Sequence, residues 1–113
     1  MRSKIIALSK NEEFKYLLKE KKLSNKYVTI FFGILNNKKK EKLNISFVAK
    51  KKIGNAIKRN KIKRRLRNII NDAVKKISIK FDYSYLVIAK PTMLNSDFKN
   101  IKETLFREFK RIK

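Results

Sequence analysis

Cysteine and histidine are both absent from the 113 residues. Without cysteine there is no disulfide framework, no thiol nucleophile and no thiolate zinc site. Without histidine the usual nucleophilic triads and imidazole acid/base chemistry are excluded, leaving carboxylates and lysines as the only catalytic groups. The chain is therefore not expected to act as an enzyme on its own. Two glycines and one proline leave few interruptions, and no internal repeat or Pro/Ser-rich linker is present, so organisation is read from periodicity. No run approaches the roughly 18 apolar residues of a membrane span, and the N-terminus has no secretory apolar core. A cytoplasmic location without a membrane partner is the expectation.

Acidic residues are also scarce, nine against thirty-two Lys and Arg, for a formal net charge of +23. Self-repulsion on that scale destabilises a compact state unless a polyanion relieves it. Nucleic acid fits best, because each phosphate neutralised by Lys or Arg releases a condensed counterion. Hydrophobic residues at 42% and aromatics at 11% supply enough apolar surface for a fold. The length suits one modest core, so residues 1–113 read as a single RNA-binding domain.

Ser9 followed three residues later by Glu12 reads as a capping box. Phe14, Leu17 and Leu18 then predict a short amphipathic helix ending near Lys21, and all three serve equally well as core or as a binding surface. Tyr27 to Leu35 is nearly all apolar, β-branched or aromatic and predicts a strand. Val28, Ile30, Phe32 and Ile34 form its more apolar face; Tyr27, Thr29 and Phe31 form the other, with Gly33 leaving bare backbone. After a polar turn with a lysine run, Asn36 to Lys42, residues Leu43 to Ala49 alternate as a second strand, and the two runs predict an antiparallel hairpin. Gly54 and Asn55, the candidate cap, open a long helix to about Ile77, with Ile62, Leu66, Ile69, Ala73 and Ile77 on its buried stripe. Lys61, Arg64, Asn68, Asn71 and Lys75 share the far side. Tyr83 to Lys90 predicts a strand closed by Pro91. Ser96 or Asn95 caps a last helix with Phe98, Ile101, Leu105, Phe109 and Ile112 on one stripe. The expected fold is an α+β or α/β domain: helix, strands including an antiparallel hairpin, a long basic helix crossing over, strand, C-terminal helix.

Between Lys42 and Asn71 lie eleven Lys or Arg and no acid, far more than solubility requires. The run sits on an amphipathic helix rather than a tail, which favours a binding surface over a merely solvated one. Asparagines among the cations add neutral donors and acceptors for ribose or base edges, and Arg can bridge a phosphate bidentately or stack on a base.

The stretch from Lys51 through Gly54-Asn55-Ala56, Arg59-Asn60 and Lys63-Arg64-Arg65-Leu66-Arg67 closely resembles the signature of the bacterial ribonuclease P protein subunit. Lys10-Asn11-Glu12-Glu13-Phe14 is similar to that family's first helix, and Asp82-Tyr83 through Ala89-Lys90-Pro91 to its last strand. The resemblance implies a compact α/β domain bound to a large catalytic RNA that removes the 5′ leader of precursor tRNA. The RNA would perform the hydrolysis with Mg2+ held mainly by RNA, and no metal would be bound by the protein alone. The implied partners are the ribonuclease P RNA and precursor tRNA, with no small-molecule substrate and no catalytic side chain.

By direct match the resemblance places Lys51, Lys52, Asn55, Arg59, Asn60, Lys63, Arg64, Arg65 and Arg67 on the catalytic RNA. Lys61 and Asn68 join them from the far side of the helix. On a helical wheel Arg59 and Lys63 lie beside the apolar stripe, at the edge next to the sheet. The implied leader cleft, between first helix and sheet, takes Phe14, Leu18, Phe31 and Lys50. Stacking on such rings tolerates any base; the plainer reading of both rings is core. Three positions depart from the family's usual pattern: Leu18 stands where a second aromatic is common, Ser46 where glycine is common, and Lys50 where serine is common. The rival reading is a non-enzymatic RNA-binding protein such as a ribosomal protein. A basic helix lying on anionic membrane fits less well, since the stripe opposite the charge is Ile and Ala rather than Trp, Phe or Leu.

Overall fold

The computed structural model describes residues 5–8, 10–35 and 42–112. In chain order the elements are β1 (Ile5–Ile6), α1 (Asn11–Leu17), β2 (Lys21–Ser24), β3 (Val28–Gly33), β4 (Leu43–Val48), α2 (Ala56–Lys76), β5 (Ser84–Ala89) and α3 (Phe98–Arg111). Short 3-10 turns at Lys51–Ile53 and Pro91–Leu94 lead into α2 and α3. The result is an α+β domain in which the five strands form one sheet in the order β1-β4-β5-β3-β2.

The central strand explains the sheet. Leu86, Val87 and Ile88 are consecutive apolar residues, as expected of a strand covered on both faces. It runs antiparallel to β3, with Phe31 opposite Leu86, and parallel to β4, with Ser46 opposite Leu86. The predicted pairing of β3 with β4 is therefore wrong, because β5 lies between them. The antiparallel hairpin is instead β2 with β3, in which Lys22 faces Phe31 and Ser24 faces Thr29. Its tight connection is made by Asn25, whose side-chain oxygen accepts from the Tyr27 and Val28 amides at 2.8 and 3.0 Å. That bend turns Tyr27 away from Thr29 and Phe31 into the main core, correcting its predicted face.

One sheet face, carrying Val28, Ile30, Phe32, Ile45, Tyr85 and Val87, is covered by α2 and α3. The stripe Ile62, Leu66, Ile69 and Ala73 is buried as predicted, joined by Ile70. Each large side chain so buried contributes roughly 1.5 to 3 kcal/mol. Tyr85 anchors the layer: its hydroxyl donates to the Lys80 carbonyl at 2.7 Å and its ring meets Phe109 edge-on at 5.4 Å. Burial pushes its phenol well above the ordinary range, followed by the fields of Tyr83 and Asp82. Asn55 caps α2 as expected, accepting from the Lys58 amide at 3.0 Å.

Helix α1 covers only part of the opposite face. Leu17 packs on Leu86 in a smaller cluster bordered by Phe14, Phe31, Val48 and Ile88. Its cap differs from expectation: Glu13, not Glu12, accepts from the Lys10 amide at 3.1 Å. Ser9 and the lysine run at 36–41 lie outside the described residues. Gly33 is not bare backbone. A Cβ there would stand 2.9 Å from Glu20 Cγ, so the glycine lets the Glu20 side chain, in the turn between α1 and β2, lie close against β3. Ile34 lies past the strand and is exposed. At the start of α3 the N-cap is Asp97 rather than Ser96 or Asn95. The Ser96 hydroxyl instead donates to the Thr92 carbonyl, and Phe98 is exposed while the rest of its stripe is buried.

Candidate nucleic-acid interface

Two surfaces differ in chemistry and adjoin at the edge of the sheet. The first is the uncovered part of the α1 face. Sheet register aligns Lys22, Phe31, Leu86 and Ser46 in one row, and Ser24, Thr29, Ile88 and Val48 in the next. Leu17 seals Leu86, but Phe31, Thr29, Ile88 and Val48 stay half-open. Phe14 of α1, itself half-buried, forms the adjacent wall, and Leu18, one turn on, is 48% exposed. Lys50, two residues beyond Val48, is exposed. Lys90 follows β5 and donates to the Ser24 hydroxyl at 2.8 Å and to the Asn25 carbonyl. Lys22 and Lys90 belong to this surface although sequence reasoning missed them. The signal was positional, since each lies in or next to a strand whose neighbours could be counted only once the strand order was known.

The second surface is the outer side of α2. Asn60, Lys61, Arg64, Arg67 and Asn68 are exposed there, as are Lys51, Lys52 and Asn55 ahead of the helix. Ile57, one turn before Lys61, is 79% exposed, so this face does carry an apolar residue at its N-terminal end. Arg65 is half-buried on one flank; Arg59 and Lys63 are also half-buried, and Lys63 borders β4. The Arg59 Nε is buried and has no hydrogen-bond partner among the described residues. Asp72 is the first acid along α2. It pairs with Lys76 at 3.3 Å and with Lys102 of α3.

The surfaces meet because β1 is only two residues long and covers only Leu43 and Asn44 of β4. Beyond that point a groove of about 420 Å3 opens, lined by Phe14, Ile45, Ser46, Phe47, Val48, Lys63 and Arg67, with Ile5 and Ala7. Lys63 and Arg67 thus share a groove with Phe14, whereas Lys61, Arg64 and Asn68 do not border it. An apolar floor flanked by two cations and no acid suits a base and its phosphate.

The model of the ribonuclease P family matches residues 3–113. The ribonuclease P protein component of Mesoplasma florum is 35% identical over 97 residues, covering 85% of this chain and 86% of that one. The chain belongs to the ribonuclease P protein family. The Fusobacterium nucleatum component is 37% identical over 111 residues, covering 94% and 96% of the two chains. The fold agrees. The ribonuclease P protein of Thermotoga maritima superposes with a TM-score of 0.80 at 28% identity, covering 96% of this chain and 98% of its own. That of Staphylococcus aureus gives 0.70 at 28% identity, with 94% and 93% covered. Membership in the ribonuclease P protein family decides against the ribosomal-protein reading. Its relatives in sequence and in structure are ribonuclease P proteins, and a role in 5′-leader processing of precursor tRNA is consistent with that family.

Proposed function

We propose that the half-open sheet face holds single-stranded 5′ leader while the outer side of α2 grips the ribonuclease P RNA. One observation carries this reading: the apolar surface bordered by Phe14 and Phe31 and the basic part of α2 ahead of Asp72, which has no acid, are distinct, yet adjoin in one groove. Phe31 and Phe14 offer ring faces on which successive bases stack whatever their sequence, each worth about 1 to 3 kcal/mol. Lys50 neutralises leader phosphate at the end of the sheet. Leu18, being aliphatic, adds contact area without stacking. Lys51, Lys52, Asn55, Asn60, Lys61, Arg64 and Asn68 engage the catalytic RNA, chiefly through phosphate. Lys63 and Arg67 stand where both RNAs pass, and Arg59 and Arg65 flank the helix there.

Hydrolysis of the phosphodiester belongs to the RNA partner in this reading. The chain has no histidine or cysteine. Among the described residues no three His, Cys, Asp or Glu side chains cluster. That donor set does not fit a protein-held magnesium ion, since such cations prefer clustered carboxylates. Mg2+ is accordingly assigned to the RNA, and no step is derived through it. What the protein supplies is affinity, orientation of the leader and charge that replaces counterions between two polyanions.

The test of the cleft is Phe31→Ala, assayed in the assembled holoenzyme. It is expected to weaken binding of leader-bearing precursor while leaving mature tRNA unaffected. Equal losses for both would make the ring a core residue and sink the assignment.

A further inference from the structure

On the flank of α2 turned away from the Phe14 groove, Lys58, Lys61 and Arg65 recur at helical spacing and border a separate concavity of about 200 Å3. Its other wall is the turn before α3, with Met93, Leu94 and Asn95. Ile62 and Met93 behind it are packed into the core, 1% and 0% exposed, so the apolar surface it offers is Leu94 with the alkyl stems of the cations. The turn itself is held in place: Thr92 donates its hydroxyl to the Lys26 carbonyl, and Ser96 bonds back to Thr92 at 2.7 Å. Lys58 lies back over Gly54, where an added Cβ would stand 2.9 Å from the Lys58 Cδ. None of the three cations is ion-paired among the described residues, and no acid lines the concavity. The Asn95 side chain has no hydrogen-bond partner among the described residues.

We infer that this concavity seats one unpaired nucleotide of the RNA partner. The chemistry is that of single-strand recognition: Leu94 and the alkyl stems of the cations for the flat face of a base, three cations for its phosphates, and one amide for a base edge. The space is too small for a base pair. Helix α2 then meets RNA on two flanks, and Lys58 and Asn95 join the interface although neither belongs to the signature matches assigned above. This inference rests on the reading of α2 as the surface for the ribonuclease P RNA.

The test measures binding of the full-length protein to a bacterial ribonuclease P RNA, without substrate, across a salt series. Asn95→Phe fills the concavity without changing charge. It should weaken binding on the order of tenfold, as expected for the loss of one base's stacking contact, with the salt slope unchanged because the cations still meet phosphate. Lys58→Glu should weaken binding more than Lys110→Glu, an equal charge change on the exposed side of α3. Asn95→Asp keeps the side-chain size and should also weaken binding, which covers the case of a Phe variant that melts early. Wild-type affinity in both Asn95 variants, or equal losses at Lys58 and Lys110, would overturn the inference while leaving the RNA assignment of α2 intact. Absence of salt-dependent binding by the wild type would overturn both.

Discussion

The Leu8 backbone amide donates to the Ser46 hydroxyl at 2.8 Å, tying the segment between β1 and α1 to the middle of β4. The hydroxyl thereby sets the approach of the chain leading into α1 to the groove that Phe14 and Arg67 share. A part-buried amide left without its partner costs about 1 kcal/mol. Ser46→Ala should therefore lower the melting temperature and weaken leader binding together. A variant with unchanged melting and unchanged leader affinity would show that the bond does not position α1.

Arg64 sits at the centre of the exposed side of α2. Arg64→Glu should weaken binding to the ribonuclease P RNA and reduce the slope of log affinity against log salt by about one, because a counterion-releasing contact is lost. A slope equal to that of the wild type would remove Arg64 from the phosphate contacts.

Asp72 links the two helices of the main layer. The hydrogen bond from Lys102 holds its carboxyl below the usual carboxylate range, overcoming the opposing effect of partial burial, with Lys76 adding to the same direction. A carboxylate whose folded-state pKa is depressed stabilises the fold above its unfolded value of about 3.9, and that contribution is lost as pH falls through the folded value. Asp72→Asn should melt below the wild type at neutral pH, with the gap closing on acidification through that range. A gap independent of pH would mean that the carboxylate charge is not what joins α2 to α3.

Local signals in the sequence were reliable where the physics was local. The Asn55 cap, the α2 stripe from Ile62 to Ala73 and the alternation of Leu43 to Ala49 all follow from spacing within one element. Strand order did not, because the β4–β5 pair is parallel and is made across α2, beyond the reach of turn chemistry. The consecutive Leu86, Val87 and Ile88 were the available sign that β5 is central. Lys21 and Lys22 looked like the end of a helix but form an edge strand, where lysines are common and discourage unwanted pairing.

The functional surfaces were legible as residue types and less so as neighbours. A helical wheel puts Arg59 and Lys63 beside the apolar stripe, and both are half-buried, yet only the end of β1 at Ile6 explains why Lys63 and Arg67 reach the groove beside Phe14.

Assembly of this chain with a catalytic RNA to process precursor tRNA is what we propose. Its most direct test is cleavage of a precursor tRNA at low magnesium by a bacterial ribonuclease P RNA, alone and with the protein. The protein is expected to restore cleavage at the mature 5′ end. Binding of the RNA without any gain in cleavage would contradict it.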